Sequence, residues 1–475
     1  MKHPRSFGKN NDVQTPRHRG VKRCWTAALF LALRLTAGSV AEPFRDGDRV
    51  CFIGDSITHQ MLYHTEITLF YLTRFPNWRV ETVNCGFAGD TAAGAVRRYD
   101  WDIAARKPTV ATVMLGMNDV NRGLYKPGST GPDTEAKRAA ALDSHIKNME
   151  ILAERLHRDG VRLIFMGPSP YDQTGSQSEE NLFGVNDALK FCGAAAHKLA
   201  EKVQAGWVDF NAPMDAINRA WQAKQPAFTL VGPDRIHPGP AGHLVMAYLF
   251  LKAQHAPAVV AEATLDGRQG KVVRQNNCDI SDVRMVDGGL TFTCRSGALP
   301  FPVDKACGPA LEWVPFMQEL NREMLTVTGL SGDRYALEID GALVVKTTAA
   351  ALAKGIAAST VGRADEDYPR KRRAPAPALR DTPGGLTTSS GRLVQNPADR
   401  VRQLIEAARL AEEVDILFQD AAMRDHVCGI PGEIEAAQRG VLRAQTIRQL
   451  APVHAGHDHI RDKQVDRLRL FRGQA

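Results

Sequence analysis

The chain lacks the cysteine pattern of a metal or dithiol protein. Its eight cysteines are spread over 475 residues with no Cys-x-x-Cys pair and no Cys/His set at zinc-site spacing. Long apolar runs are also missing: apart from Trp25–Leu33, itself too short to span a bilayer comfortably, no segment approaches transmembrane length. A net charge is missing from most of the chain as well. The formal charge is +7, but residues 1–41 hold eight Lys or Arg against one Asp, leaving 52 basic and 52 acidic residues in the remainder. A neutral body has no basic surface for nucleic acid, so a nucleic-acid partner is not expected.

The basic leader, the apolar stretch and the small residues Ser39-Val40-Ala41 read together as a secretory signal peptide over 1–41, cut before Glu42. A secreted or periplasmic protein is therefore expected, with no transmembrane span in the mature chain. Cys51 and Cys85 read as buried thiols, whereas Cys278 and Cys294 flank a predicted hairpin over 276–295. An exported protein can form a disulfide there, and the spacing leaves the pairing open.

Four short blocks carry the chemistry. Gly54-Asp55-Ser56-Ile57-Thr58 follows the apolar run Arg49–Ile53 and precedes apolar positions at helical spacing, placing Ser56 at a strand-to-helix turn. The unpaired N–H groups at such a helix start favour developing negative charge. Asn84-Cys85-Gly86-Phe87-Ala88-Gly89-Asp90-Thr91 follows a second strand, and its glycines let backbone approach a ligand closely. Gly116-Met117-Asn118-Asp119 follows a third, where the Asn118 amide can meet an oxygen acquiring charge. In Asp234-Arg235-Ile236-His237-Pro238 the carboxylate stands three residues before the imidazole, which lets it hold Nδ1–H and leave Nε2 to deprotonate Ser56. Asp55 and Asp119 read as structural.

These blocks, in this order, resemble those of the SGNH hydrolases, also called GDSL-type esterases and lipases. The resemblance covers about residues 46–255 and implies Ser56 as nucleophile, His237 as base and Asp234 as its orienting acid. It also implies an oxyanion hole made by the N–H of Ser56, the N–H of Gly89 and the side chain of Asn118. No cofactor or metal is needed for such chemistry. The expected substrate is a small ester or an acetylated extracellular polysaccharide, with lipase, lysophospholipase and thioesterase activities left open, as is a non-catalytic carbohydrate-binding role. Oligomeric state is not legible.

Strands predicted at 49–54, 79–84, 109–115, 161–166 and 206–210 alternate with helices near 59–74, 91–105, 134–158, 184–203 and 240–254. This rhythm predicts an α/β fold with a mainly parallel sheet, to which the resemblance adds a three-layer, flavodoxin-like five-stranded sandwich. The expected divisions are an esterase domain over 42–256, a small β-rich accessory region over 257–361, a linker over 362–399 and a helical or partly disordered tail over 400–475. Runs 324–328, 334–339 and 343–347 suggest a small antiparallel unit that either recognises a polymer or simply packs on the esterase. In the tail, 400–423 and 432–450 have helical spacing, and His454, His457 and His459 form a small cluster better read as solvated than as a metal site. Arginine supplies 17 of the 19 basic residues after position 360, as in an interaction segment or a frame-shifted reading.

Overall fold

The structure, a computed structural model, describes residues 40–358 and 465–472. Nearly all of the expected signal peptide, the 362–399 linker, the two tail helices and the histidine cluster lie outside the described residues. Just after the leader, Val40 bridges to Trp207 and Ala41 is fully buried.

Five parallel strands form the central sheet: β1 (Arg49–Gly54), β2 (Glu81–Gly86), β3 (Val110–Met114), β4 (Arg162–Met166) and β5 (Gly206–Val208), in the order β2-β1-β3-β4-β5. Parallel strands need crossovers, and crossover helices cover both faces, so each strand is apolar on both sides. Along β1, Val50 and Phe52 enter one core with Phe70 and Leu244, while Cys51 and Ile53 enter the other with Met149, Leu152 and Leu199. The covering helices are α1 (Ser56–His59), α2 (Leu62–Arg74), α3 (Ala92–Arg97), α4 (Pro132–Arg158), α5 (Val185–Val203), α6 (Asn211–Gln222) and α7 (Pro240–Ala253).

Two helices differ from expectation. The helix expected over 59–74 is broken by Met61, whose φ of 66° is left-handed, so that a separate first turn carries Ser56. The helix expected over 91–105 ends at Arg97 and continues as a wider π turn over Tyr99–Ile103. There Arg98 turns inward and binds the carboxylates of Asp90 and Asp102 and the carbonyl of Cys85. A buried guanidinium needs such partners, and the wider turn supplies Asp102. Helix α6 was not expected.

The accessory region is a β-sandwich. One sheet has the order β13-β10-β6-β7, from β6 (Val259–Asp266), β7 (Lys271–Asn276), β10 (Arg322–Thr328) and β13 (Ile356–Ala357). The other has the order β12-β11-β14-β9-β8, from β8 (Cys278–Val286), β9 (Gly289–Ser296), β11 (Arg334–Ile339), β12 (Ala342–Thr348) and β14 (Val465–Arg472). Leu265, Val327, Phe292, Leu337 and Leu470 meet between them. The β11–β12 hairpin is antiparallel as expected, turning at Asp340-Gly341 with both φ positive. Run 324–328 is different: it lies in the opposite sheet, parallel to β6, because the short helical stretch before it carries the chain across. The tail also departs from expectation, since 465–472 is a strand between β9 and β11 with Leu468 and Leu470 buried. Cys278 and Cys294 are buried on adjacent strands with no disulfide.

Residues 298–321 run back across the first domain. Phe301, Ala310, Val314, Phe316 and Leu320 belong to the same core as Phe52 and Phe250. Arg74 donates to the carbonyl of Leu320 at 2.6 Å, and Tyr248 donates to Glu319 at 2.7 Å. Among the described residues no helix is long and apolar enough to cross a membrane.

Candidate active site

Ligands bind at the carboxyl ends of strands in open parallel sheets, and the four sequence blocks all sit there. Gly54 ends β1 where a Cβ would lie 2.1 Å from Thr58 Oγ1 and 2.9 Å from the Met114 carbonyl, so only glycine lets the chain turn so sharply into α1. Asp55 caps that turn, its Oδ1 accepting from Ile57 N–H at 3.1 Å. Burial pushes the Asp55 carboxyl up to about 7, against the opposing hydrogen bond from Ile57. Asp55 thus has the structural place expected of it.

The residues expected to act together meet in one line. Ser56 Oγ lies 2.7 Å from His237 Nε2, and His237 Nδ1 lies 2.6 Å from Asp234 Oδ2. The other Asp234 oxygen accepts from the backbone N–H groups of Ile236 and His237, each at 3.0 Å. Partial burial opposes ionisation of Asp234, but these hydrogen bonds outweigh it and hold the carboxyl below its usual value. With the carboxylate on Nδ1, the tautomer that leaves Nε2 able to accept the serine proton is favoured.

The other two groups expected to form the oxyanion hole, Gly89 and Asn118, come from the neighbouring blocks. Gly89 has a φ of 76° and open space where a Cβ would be. Among the described residues no acceptor takes its N–H or that of Ser56, as befits a loop amide and a first-turn helix amide. Asn118 is held by both ends of its amide: Nδ2 donates to the Asp90 carbonyl at 2.9 Å, and Oδ1 accepts from Arg122 Nη1 at 3.2 Å. Asp119, as expected, braces: its Oδ1 accepts from Ala92 N–H at 2.9 Å, tying the asparagine block to the start of α3.

Three further residues were not singled out in the sequence. His145 on α4 is buried with Nδ1 3.1 Å from Asp119 Oδ1. Burial works against its charge, yet Asp119 and Cys192 beside it prevail and raise the imidazole to about 10. Arg235 is buried with a left-handed φ of 66°, and its guanidinium binds the carbonyls of Asp172, Gly175, Gln177 and Glu179. It fastens the loop after β4 to the Asp234–His237 turn. Arg122 is the third. The signals were faint: an arginine inside Asp-x-x-His, another four residues after Asn118, and a histidine on an otherwise ordinary helix. His64 and His243 are fully buried and driven down to about 4 and about 3, first by burial, so they stay neutral near the site. No group of three or more His, Cys, Asp or Glu among the described residues is placed to hold a metal.

This arrangement can pass a proton from a serine hydroxyl to an imidazole held by a carboxylate. Comparison with known proteins points the same way. Residues 52–245 match the GDSL-like Lipase/Acylhydrolase family. A curated acetylxylan esterase of Geobacillus stearothermophilus is 24% identical over 221 residues, 43% of this chain and 93% of that protein. A solved structure of a gut microbial diltiazem-metabolizing enzyme superposes with a TM-score of 0.74 at 29% identity, covering 92% of this chain and all of that one.

Proposed function

We propose, from the premise that residues 52–245 are a GDSL-like lipase/acylhydrolase domain and the chain an ester-hydrolysing enzyme, that it is a serine acetylesterase working through an acyl-enzyme. Ser56 Oγ attacks the ester carbonyl as its proton passes to His237 Nε2, and Asp234 supports the imidazolium that results. The tetrahedral oxyanion is stabilised by the N–H of Ser56, the N–H of Gly89 and the free Nδ2–H of Asn118. His237 then protonates the leaving alcohol as the carbon–oxygen bond breaks. Water, deprotonated by the same imidazole, attacks the acyl-serine, and collapse returns the proton to Oγ with release of acid.

The observation that carries this reading is the unbroken line of short contacts from Ser56 through His237 to Asp234, beside two backbone N–H groups left without acceptors. Acetyl as the acyl group draws on the acetylxylan esterase relative, and acetylated carbohydrate is the substrate class it suggests. A second reading, a small drug-like ester, is favoured by the diltiazem-metabolizing enzyme whose structure matches 92% of this chain. We further infer export, on the basic leader and short apolar stretch before residue 42. N-terminal sequencing of protein recovered outside the cytoplasm tests it, and an intact Met1 would exclude it.

The deciding experiment is hydrolysis of p-nitrophenyl acetate, butyrate and octanoate, followed by acetylated xylan and diltiazem, with Ser56→Ala as control. Serine-dependent turnover falling with acyl length is the expected result. A preference for octanoate would replace the acetylesterase reading with a lipase-like one.

A further inference from the structure

The Asn118 amide has four hydrogen-bonding positions, two N–H donors and two lone pairs, and its usefulness depends on which way it is turned. Flipped by 180°, it would present a carbonyl oxygen to the developing oxyanion and repel it. Two contacts decide the orientation. The Asp90 carbonyl takes one Nδ2–H at 2.9 Å, which leaves the other for the substrate. Arg122 Nη1 donates to Oδ1 at 3.2 Å and to the Met117 carbonyl at 2.6 Å, so the arginine spans the backbone and side chain of the same loop. Guanidinium has donors and no acceptor, so it can donate only to the oxygen end of the amide.

Local backbone geometry delivers Arg122 to this place. Val120 N–H returns to the Gly116 carbonyl and Asn121 N–H to the Asn118 carbonyl, making a compact turn. Asn121 then adopts a left-handed φ of 52°, which asparagine tolerates better than most residues, and starts a 3-10 turn over Arg122–Tyr125. The side chain is folded back under the residue four positions earlier. It is partly buried, with Asp55, Tyr171 and Asp234 as the groups that feel its charge. The guanidinium's Nη1 hydrogen bonds go to two neutral acceptors, the Asn118 amide oxygen and the Met117 carbonyl.

We propose that Arg122 is a positioning residue that locks Asn118 with its Nδ2–H toward the reacting oxygen and, by polarising the amide through Oδ1, strengthens that donor. This rests on the serine-esterase reading above. Its effect falls on turnover, because the amide is needed most when charge develops on the oxygen.

The test is a double-mutant cycle in p-nitrophenyl acetate hydrolysis with the full chain, using R122M, R122K, N118A and N118A/R122M, each with a thermal melt. R122M is expected to lower kcat about 10- to 100-fold with KM within about 2-fold, less than the ~10²–10³-fold loss for removing an oxyanion donor. R122K, which keeps a donor for Oδ1, is expected to recover most of that loss. In the N118A background R122M is expected to add less than about 2-fold, because its route of action is gone. Equal losses from R122M in both backgrounds, or unchanged kcat in R122M, would overturn the proposal while leaving the esterase intact. If R122M fails to fold, R122K and R122Q carry the same cycle. Wild-type protein without Ser56-dependent turnover would sink the underlying reading and this inference with it.

Discussion

The parallel sheet and the β-sandwich of this chain are built on opposite rules. In β3 all five residues are buried, because helices cover both faces, whereas β6 from Ala261 on alternates between buried and half-buried positions as a sandwich strand does. A doubly covered sheet leaves its polar groups to the strand ends, and there the chain gathers Ser56, Gly89, Asn118 and His237. The sandwich has polar residues along its outward faces instead, such as Arg322 of β10 paired with Glu262 of β6 at 2.7 Å. Concentrating polar chemistry at one edge is a consequence of burying both faces, and this is why the site is where it is.

The sharpest way to break that comparison is to remove the serine. Ser56→Ala is expected to reduce ester turnover by ~10⁴-fold or more with the melting temperature nearly unchanged, since the hydroxyl supports chemistry rather than packing. A mutant that kept appreciable turnover would show that the edge of the parallel sheet is not the site.

A next-largest effect probes where the boundary between the regions lies. Phe316, although beyond β9 in sequence, is fully buried in the α/β core, 4.8 Å from Phe301 and 6.4 Å from Tyr248 by ring centroids. Phe292 lies in the sandwich core. Each truncation to alanine is expected to cost about 3–5 kcal/mol. The difference is in what is lost: Phe316→Ala should lower the temperature at which turnover fails, while Phe292→Ala should open the sandwich first and spare turnover. Activity-loss curves beside melting curves measure this, and identical behaviour of the two variants would merge the regions into one cooperative unit.

The same contrast explains what the sequence could tell. Val110–Met114 and Arg162–Met166 are continuous apolar runs between helical periods, and such runs announce themselves. The four blocks were legible because three of them end strands, the fourth is a short Asp-x-x-His loop before α7, and each residue type has a definite chemical use. The partner of β10 was not legible, since parallel pairing with β6 spans more than fifty residues and leaves no local mark. Strand 465–472 was overlooked although Leu468 and Leu470 alternate with arginines, because the helical spacing of 400–423 and 432–450 set the expectation for the tail. Arg122, Arg235 and His145 escaped because their role is to hold other residues, and a bond across 4 to about 60 positions has no signature in composition.

His145 offers a measurement specific to the α/β region. With its pKa at about 10 in the fold against about 6.5 unfolded, the folded state holds the proton more tightly. Its contribution is therefore complete below about pH 6.5 and is lost progressively as pH rises toward 10, by an amount of order a few kcal/mol. Denaturant unfolding at pH 6, 8 and 10 should show that decline for the native chain and a flatter profile for His145→Gln. The partner is Asp119 on the oxyanion loop, so the sandwich is expected to be indifferent to this change. A native profile no steeper than that of His145→Gln would remove the ion pair from the account.

The smallest effect uses two glycines with nearly the same backbone. Gly89 has φ 76° and Gly341 φ 77°, and at neither would a Cβ meet another atom within 4 Å. Steric space is thus equal, and alanine at either position is expected to cost the left-handed penalty alone, about 1–2 kcal/mol. Their surroundings are not equal. Gly341 turns the β11–β12 hairpin, where relaxing the backbone by a few degrees disturbs nothing that reacts. If the Gly89 N–H meets the oxyanion as proposed, a shift of the order of 1 Å there is enough to cost ~10²-fold in rate. Gly89→Ala should therefore lose turnover and Gly341→Ala should keep it, at matched losses of stability measured by denaturant unfolding. If both variants kept turnover, the Gly89 amide would be no more than a turn, and the oxyanion would rest on Ser56 and Asn118 alone.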